Sequence, residues 1–333
     1  MHILVVLPNW LGDVAMCTPA LRALHQRYPH AQITVAGRRI AVDVLEGLPG
    51  IANSVVLPAR PNFMEMIRIS RQLKPWSRDL AIVFPHSFRS ALLAKLSGAR
   101  RILGYNRGGR SWLLTDSIEP YREEGKIQPV YMAQEYSDLL NAVDVKPDNQ
   151  GLELVADDQE IEAVRNHLSR TGPVVGFAPG AAFGPSKRWP AERYAAVAND
   201  LHERIDAQCV LMTGPGEEDT RDAFLEAASV PIIQCHGGSP TLARLKATIS
   251  QLDLLIGNDS GPRHVAVAFD VPVICIMGST KPAYSCGPYE KGEVLRIDVD
   301  CGPCQQPVCK TDHRCMTGIS PELVANTAIR FLP

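Results

Sequence analysis

The chain has 333 residues, 45% of them hydrophobic and 21% charged, with a formal net charge of −2 at pH 7. The length implies two domains, the charge balance excludes a globally basic nucleic-acid-binding protein, and no stretch approaches the ~20 apolar residues of a membrane span. The opening MHILVVLPNW is too short for a signal peptide, and nine cysteines without an export signal read as thiols or metal ligands, so a cytoplasmic protein is expected.

In chain order, HILVVLP (2–8) predicts a first buried strand, followed by a helix over roughly residues 13–28. QITVAG (32–37), SVVLPA (54–59) and DLAIVFP (79–85) repeat the strand signal, with amphipathic segments between them. Strand, helix, strand in this order demands parallel pairing with helices on both faces. The polar segment VDVKPDNQG (143–151) marks a linker. The same grammar then restarts with PVVGFAP (173–179), AQCVLMTG (207–214), VPIIQC (230–235), LDLLIGND (252–259) and VPVICIMG (271–278). The expected fold is α/β: two Rossmann-like doubly wound parallel-sheet domains, 1–150 and 151–333, with one continuous large sheet as the alternative.

Ligands of open parallel sheets bind at the carboxyl ends of the strands, and several loops there are chemically unusual. APGAAFGPSKRWP (178–190) joins a strand to a helix starting near Pro190. Its small residues, Gly180 among them, admit a ligand to the backbone, the helix start offers N–H groups to an anion, and Lys187 and Arg188 add positive charge. Phosphate binding follows, as does the plainer alternative of a surface turn with solvated cations and Trp189 as a lid. LLIGNDSGPRHVAVAFD (254–270) ends a strand in Asn258, Asp259, Ser260 and Gly261, with His264 in the first helical turns. One polar residue would suffice for a helix cap; this number favours a pyrophosphate seat shared with the first loop. In LPNWLGDVAMCTPAL (7–21), Asp13 either complements a helix dipole or serves as a general base. In LMTGPGEEDT (211–220), Thr213 and Gly214 end a strand, and Glu217 and Glu218 either meet a ribose diol or start the next helix.

ILVVLPNWLGDVAMCTPALRAL, PNFMEMIRISRQLK, DLAIVFPHSFRSAL, GFAPGAAFGPSKRWP and GNDSGPRHVAVAF together resemble the ADP-heptose:lipopolysaccharide heptosyltransferases, a family of GT-B-fold glycosyltransferases. The PGAxFGPxKRWP form resembles the heptosyltransferase II branch, while Pro262 and Arg263 stand where the family more often has an apolar pair. The resemblance implies two domains facing a central cleft, the second holding ADP-L-glycero-D-manno-heptose through Gly180, Lys187, Thr213, Gly214, Glu218, Asp259, Ser260, Gly261 and His264. It implies Asp13 as the general base of an inverting transfer and Lys187 as a catalytic cation on the departing diphosphate, with no cofactor required. The first domain would take the anionic, lipid-linked inner core of lipopolysaccharide through Arg60, Ser87 and Arg89, beside His86, with peripheral contact at the inner membrane and no nucleic acid.

CGPCQQPVCKTDHRC (301–315) places Cys301, Cys304, Cys309 and Cys315 close together, and a structural zinc or disulfide is expected there, apart from the catalytic scheme. Cys17, Cys209 and Cys275 read as core thiols. Competing functions are transfer of another nucleotide sugar, a non-catalytic nucleotide-sugar sensor, and a dinucleotide-binding oxidoreductase. The absence of GxGxxG after any strand weakens the last of these.

Overall fold

The computed structural model describes residues 1–168, 171–234 and 241–332; residue 235, the last of the strand expected over 230–235, lies outside them. The chain divides into two compact units, Met1–Val155 and Ala156–Pro333.

In the first unit, β1 (His2–Val6) leads through α1 (Leu11–Met16) and α2 (Thr18–Arg27) to β2 (Gln32–Gly37), then through α3 (Arg39–Val44) to β3 (Ile51–Val56). The chain returns through α4 (Phe63–Leu73) to β4 (Leu80–Val83), and continues with α5 (Phe88–Leu96), β5 (Arg101–Tyr105) and β6 (Asp116–Ile118). A short hairpin, β7 (Arg122–Glu123) and β8 (Lys126–Ile127), precedes α6 (Met132–Leu139). The sheet order is β3-β2-β1-β4-β5-β6 with every pair parallel. Alternation sends Leu4, Val6, Ala81, Val83 and Ile102 to one face, where they pack with Ile69 and Leu73 of α4 and Ala91 and Ala94 of α5.

The single helix expected over 13–28 is two helices. Pro19 has no N–H for the Ala15 carbonyl, and the Thr18 hydroxyl donates to that oxygen instead at 2.8 Å. The polar segment 143–151 packs on α2: Arg22 Nε donates to Asp148 at 2.5 Å and Arg22 Nη2 to the Gly151 carbonyl at 2.9 Å.

The second unit opens with α7 (Asp158–Arg165) and β9 (Val174–Ala178), then α8 (Ala191–Ile205), β10 (Gln208–Leu211), α9 (Glu218–Ala227) and β11 (Ile232–Ile233). It returns through α10 (Leu242–Ile249) to β12 (Leu254–Asn258), α11 (Gly261–Ala268) and β13 (Val273–Ile276). α12 (Pro282–Ser285), β14 (Gly292–Leu295), α13 (Arg314–Thr317) and α14 (Pro321–Ile329) complete it. The order β11-β10-β9-β12-β13-β14, again all parallel, repeats the first sheet, so the continuous-sheet alternative does not hold. Both sheets start the same way: Asp79, just before β4, accepts the His2 N–H at 2.7 Å, and Asp253, just before β12, accepts the Val174 N–H at 2.8 Å. Phe177, Cys209, Leu211, Ile256 and Ile274 pack with Trp189, Tyr194 and Leu201 on one side of the second sheet. Trp189 is thus a core residue and not a lid; its Nε1 donates to the Ile319 carbonyl at 3.1 Å. β5, β6 and β14 were not anticipated from the sequence.

Each chain path runs outward from the central strand, returns, and continues on its other side. The switch points therefore lie between β1 and β4 and between β9 and β12, where crevices open at the carboxyl ends of strands.

Candidate functional site

At the second unit's switch point, Asn258 ends β12 and is buried. Its Oδ1 accepts the Trp189 N–H at 3.1 Å and the Tyr194 hydroxyl at 2.8 Å, while its Nδ2 donates to the Pro179 carbonyl at 2.7 Å. One amide thereby fixes the small-residue loop after β9 to the neighbouring strand.

The next residue organises the charge. Asp259 Oδ2 accepts from Lys187 Nζ at 2.8 Å and from the Thr280 hydroxyl at 2.6 Å, and its Oδ1 accepts from Arg263 Nη1 at 2.9 Å. Lys187 also donates to the Asp259 carbonyl at 2.9 Å. Arg263 is buried and grips Glu290 with two parallel bonds of 2.6 Å. Burial alone would raise the Asp259 carboxyl, but Lys187 and Arg263 hold it well below the usual carboxylate range. His264, one residue on, is pushed down to about 3 by burial and by the Arg263 charge, so it is neutral at pH 7.

A carboxylate also sits at the end of β10. Glu217 Oε2 accepts the Gly214 N–H at 2.8 Å, and a Cβ on Gly180 would overlap the same carboxylate. Glu218, the residue singled out from the sequence, is exposed and accepts the Gly216 N–H at 3.2 Å. Thr213, which precedes Gly214 in the chain, is half-buried. Ser260 takes the N-cap position of α11 without a side-chain capping bond, and Gly261 is the first helical residue. The structure thus gathers Lys187 and Asp259 directly, with Ser260 and Gly261 following in the chain and Gly180 and Gly214 joined through Glu217. The sequence offered Glu217 alongside Glu218 and counted Asn258 among the polar residues of its loop, but it gave neither these partners nor the part played by Thr280; Arg263 was visible there as a departure from the family pattern.

The cysteine-rich segment braces this site. Ser186, buried next to Lys187, donates through its Oγ to the Gln306 carbonyl at 2.5 Å and through its N–H to the Pro307 carbonyl at 3.1 Å. The Ser186 carbonyl lies 3.0 Å from His313 Nε2, which as the N–H tautomer donates to it. Cys301, Cys304, Cys309 and Cys315 line one cavity of about 210 Å³ with Ser186 and His313. All four are free thiols, and among the described residues no group of three or more His, Cys, Asp or Glu side chains is arranged to hold a metal ion. The expected zinc or disulfide is therefore not supported. Hydrogen bonds to the turn at Ser186 hold the segment instead.

At the first unit's switch point, Asp13 is half-buried in the first turn of α1. Its charge reaches the buried Cys17 and Tyr136 and helps to raise both, after burial itself. Nearby, the buried Glu135 lies 2.6 Å from His86 Nε2 and 3.4 Å from Arg107 Nη2. Arg107 Nη1 is 3.3 Å from His86 Nδ1. Arg110 is fully buried and clasps the turn after β4, donating to the Pro85 carbonyl and, at 2.9 Å, to the Ser87 carbonyl. Ser87 caps α5 by accepting the Ser90 N–H at 3.2 Å. Arg60 and Arg89 are exposed and make no hydrogen bond or ion pair with another described residue; the Glu135 network was not foreseen.

The chain is similar to known proteins in both sequence and fold. The family described as glycosyltransferase family 9 (heptosyltransferase) matches residues 66–314. Lipooligosaccharide heptosyltransferase 2 of Haemophilus influenzae is 28% identical over 314 residues, covering 89% of each chain. The solved ADP-heptose lps heptosyltransferase II of E. coli superposes with a TM-score of 0.83 at 26% identity, covering 99% of this chain and 98% of that one. A glycosyl transferase family 9 structure from Veillonella parvula superposes at 0.86 with 24% identity, covering 99% and 97%. The fold is GT-B.

Two outcomes follow for the buried charges. Asp259→Asn leaves Lys187 and Arg263 beside a neutral amide, and urea unfolding at pH 7 should show a loss of about 3–5 kcal/mol. Asp259 contributes fully above the ordinary carboxylate pKa, and its contribution fades as pH falls towards the depressed folded value. For His264, the unfolded chain takes up a proton near the ordinary ~6.5, whereas the folded chain does not until about 3. Stability should therefore fall with acidification across that window, by ~1.4 kcal/mol per pH unit at the full single-proton slope. His264→Gln should remove that slope; an unchanged slope between pH 6 and 4, measured by urea unfolding, would show that His264 is not its source.

Proposed function

Since the chain belongs to glycosyltransferase family 9, the heptosyltransferase family, we propose that this glycosyltransferase moves heptose from ADP-L-glycero-D-manno-heptose to the inner core of lipopolysaccharide with inversion. The observation that carries this reading is the interlocked set of loops at the second unit's switch point, in a chain that matches the family over 66–314.

The donor would lie on the second unit. A lysine ammonium has three donors, and Lys187 directs two bonds at Asp259, so a further N–H serves the diphosphate. The start of α11 at Ser260 and Gly261 adds backbone N–H groups that lack intrahelical partners. Gly180, Thr213 and Gly214 bound the nucleotide, and of the two adjacent glutamates Glu217, rather than the outward Glu218, suits the ribose diol because it already lies against Gly180 and Gly214. His264 and Asp259 shape the seat from beneath as a neutral imidazole and a paired carboxylate.

Asp13 is the general base. It takes the proton of an acceptor sugar hydroxyl as that oxygen bonds to the anomeric carbon, the bond to the diphosphate breaks, and ADP leaves with the electron pair. Lys187 and the α11 N–H groups stabilise the charge growing on the leaving diphosphate. The scheme uses no metal or cofactor. Arg60, Arg89 and Arg107 receive the anionic, lipid-linked acceptor, with Ser87 holding the start of α5 between them. The enzyme works in the cytoplasm, touching the inner face of the membrane peripherally, and nucleic acid has no part in it.

ADP should raise the thermal midpoint more than UDP, GDP or NAD; selective stabilisation by NAD would overturn the reading. Asp13→Ala should lower heptosyl transfer by about 10²–10⁴-fold while ADP still stabilises the variant, and retained turnover would remove Asp13 as base. Lys187→Ala should weaken ADP binding and slow transfer together, measured by calorimetry and single-turnover rates.

A further inference from the structure

Five strands of the first unit, β1 to β5, run parallel, so the loops that follow them all emerge on one edge. Each presents an exposed apolar side chain: Trp10 after β1, Ile40 after β2, Phe63 and Met64 after β3, Phe88 after β4 and Trp112 after β5. Phe63, Met64 and Trp112 are 64%, 75% and 68% exposed. The corresponding loops of the second unit expose only Phe183 among the described residues.

Single exposed apolar residues are ordinary; these are not dispersed. α4 and α5 pack side by side, so Phe63 and Met64 at the start of one lie on the same flank as Phe88 at the start of the other. The Phe88 and Trp112 ring centroids are 5.9 Å apart. Arginines are interleaved with them: Arg38 and Arg39 beside Ile40, Arg60 before Phe63, and Arg89 after Phe88. Two nearby acids are already engaged. Glu65 accepts the Asn62 N–H in a capping box at 2.8 Å, and Asp43 pairs with Arg39 at 3.4 Å.

We infer that this edge seats the first unit on an anionic lipid bilayer, with Phe63, Met64, Phe88 and Trp112 entering the headgroup–acyl boundary and Arg38 and Arg39 meeting lipid phosphates beside Arg60 and Arg89, which receive the lipid-linked acceptor. Large apolar side chains alternating with cations match that boundary, where the apolar layer and the phosphate layer are only a few ångströms apart. A protein partner would need its own acidic and apolar mosaic; a bilayer supplies both layers everywhere. The inference rests on the proposed lipid-linked acceptor and specifies the surface that reaches it.

The test is co-sedimentation of the full chain with vesicles of phosphatidylcholine, alone or mixed with phosphatidylglycerol. Partitioning should be stronger on the anionic vesicles and should weaken as salt is raised. Phe63→Ser with Met64→Ser, and separately Trp112→Ser, should each reduce it by about tenfold. Leu323→Ser, an exposed apolar site on the second unit, should leave it unchanged. Equal partitioning of all variants, no preference for anionic lipid, or loss of the patch to self-association would overturn the inference. Heptosyl transfer to a water-soluble core fragment, measured on the same proteins, should be unaffected by the apolar substitutions. Failure of the wild-type chain in that assay would count against the functional reading, while the vesicle result would still judge the surface.

Discussion

The second unit depends on one buried carboxylate. Asp259 joins Lys187 from the loop after β9, Arg263 from α11 and Thr280 from the loop after β13. These loops belong to three adjacent strands and share no regular backbone pairing with one another. Ion pairs in a dry interior add little net stability compared with apolar packing, yet removing one partner is costly. That asymmetry makes Asp259 a device for position: each loop is held where the others require it. Glu290 extends the chain of alternating charges by neutralising the far side of Arg263, and Asn258 performs the same task with neutral bonds.

The two units share a strand order and even the aspartate that pins the first strand, but their loops solve different problems. In the second unit the loops at the switch point are rich in small residues and tied to each other, as suits a compact anionic ligand. The turn at Ser186 is clamped further by the 301–315 segment, through the Gln306 and Pro307 carbonyls and His313. In the first unit a polar group of His86, Arg107 and Glu135 stands beside the switch point, while the remaining loops turn aromatic and cationic side chains outward. Topology supplied two equivalent edges; side-chain chemistry distinguishes them.

The long apolar runs were legible because parallel strands buried on both faces are nearly continuous in Val, Ile and Leu. β5 and β6 were not, since Arg101 and Asp116 open them with charge and β6 is only Asp116–Ile118. Their pairing comes from neighbours already in the sheet. Gly180, Lys187 and Asp259 were legible as chemically unusual residues of the loops after β9 and β12, and the structure brings Lys187 against Asp259. What a one-dimensional pattern could not supply was direction: whether Trp189 turned inward, which of Glu217 and Glu218 faced the glycines, and that Arg263 would find Glu290 at 27 positions' remove. The cysteines misled for the same reason. Their spacing announces metal or disulfide chemistry, whereas the segment is anchored by backbone carbonyls and a histidine.

Lys187, Asp259, Arg263 and Glu290 sum to no formal charge, so under the proposed function this cluster would receive a diphosphate by orientation more than by net positive charge. Asp259 draws the lysine into one place and leaves it an N–H to give, much as a preorganised dipole is set before charge develops. The start of α11 contributes N–H groups whose direction the helix fixes. Neutral His264 adds no charge that would need a counter-ion when the site is empty. A site of this kind is tolerable without ligand because its charges are already paired, and attractive to an anion because its donors are already aimed. Replacing Asp259 by a larger number of free cations would raise the local potential but surrender the geometry that the proposed transfer asks of the groups around its leaving diphosphate.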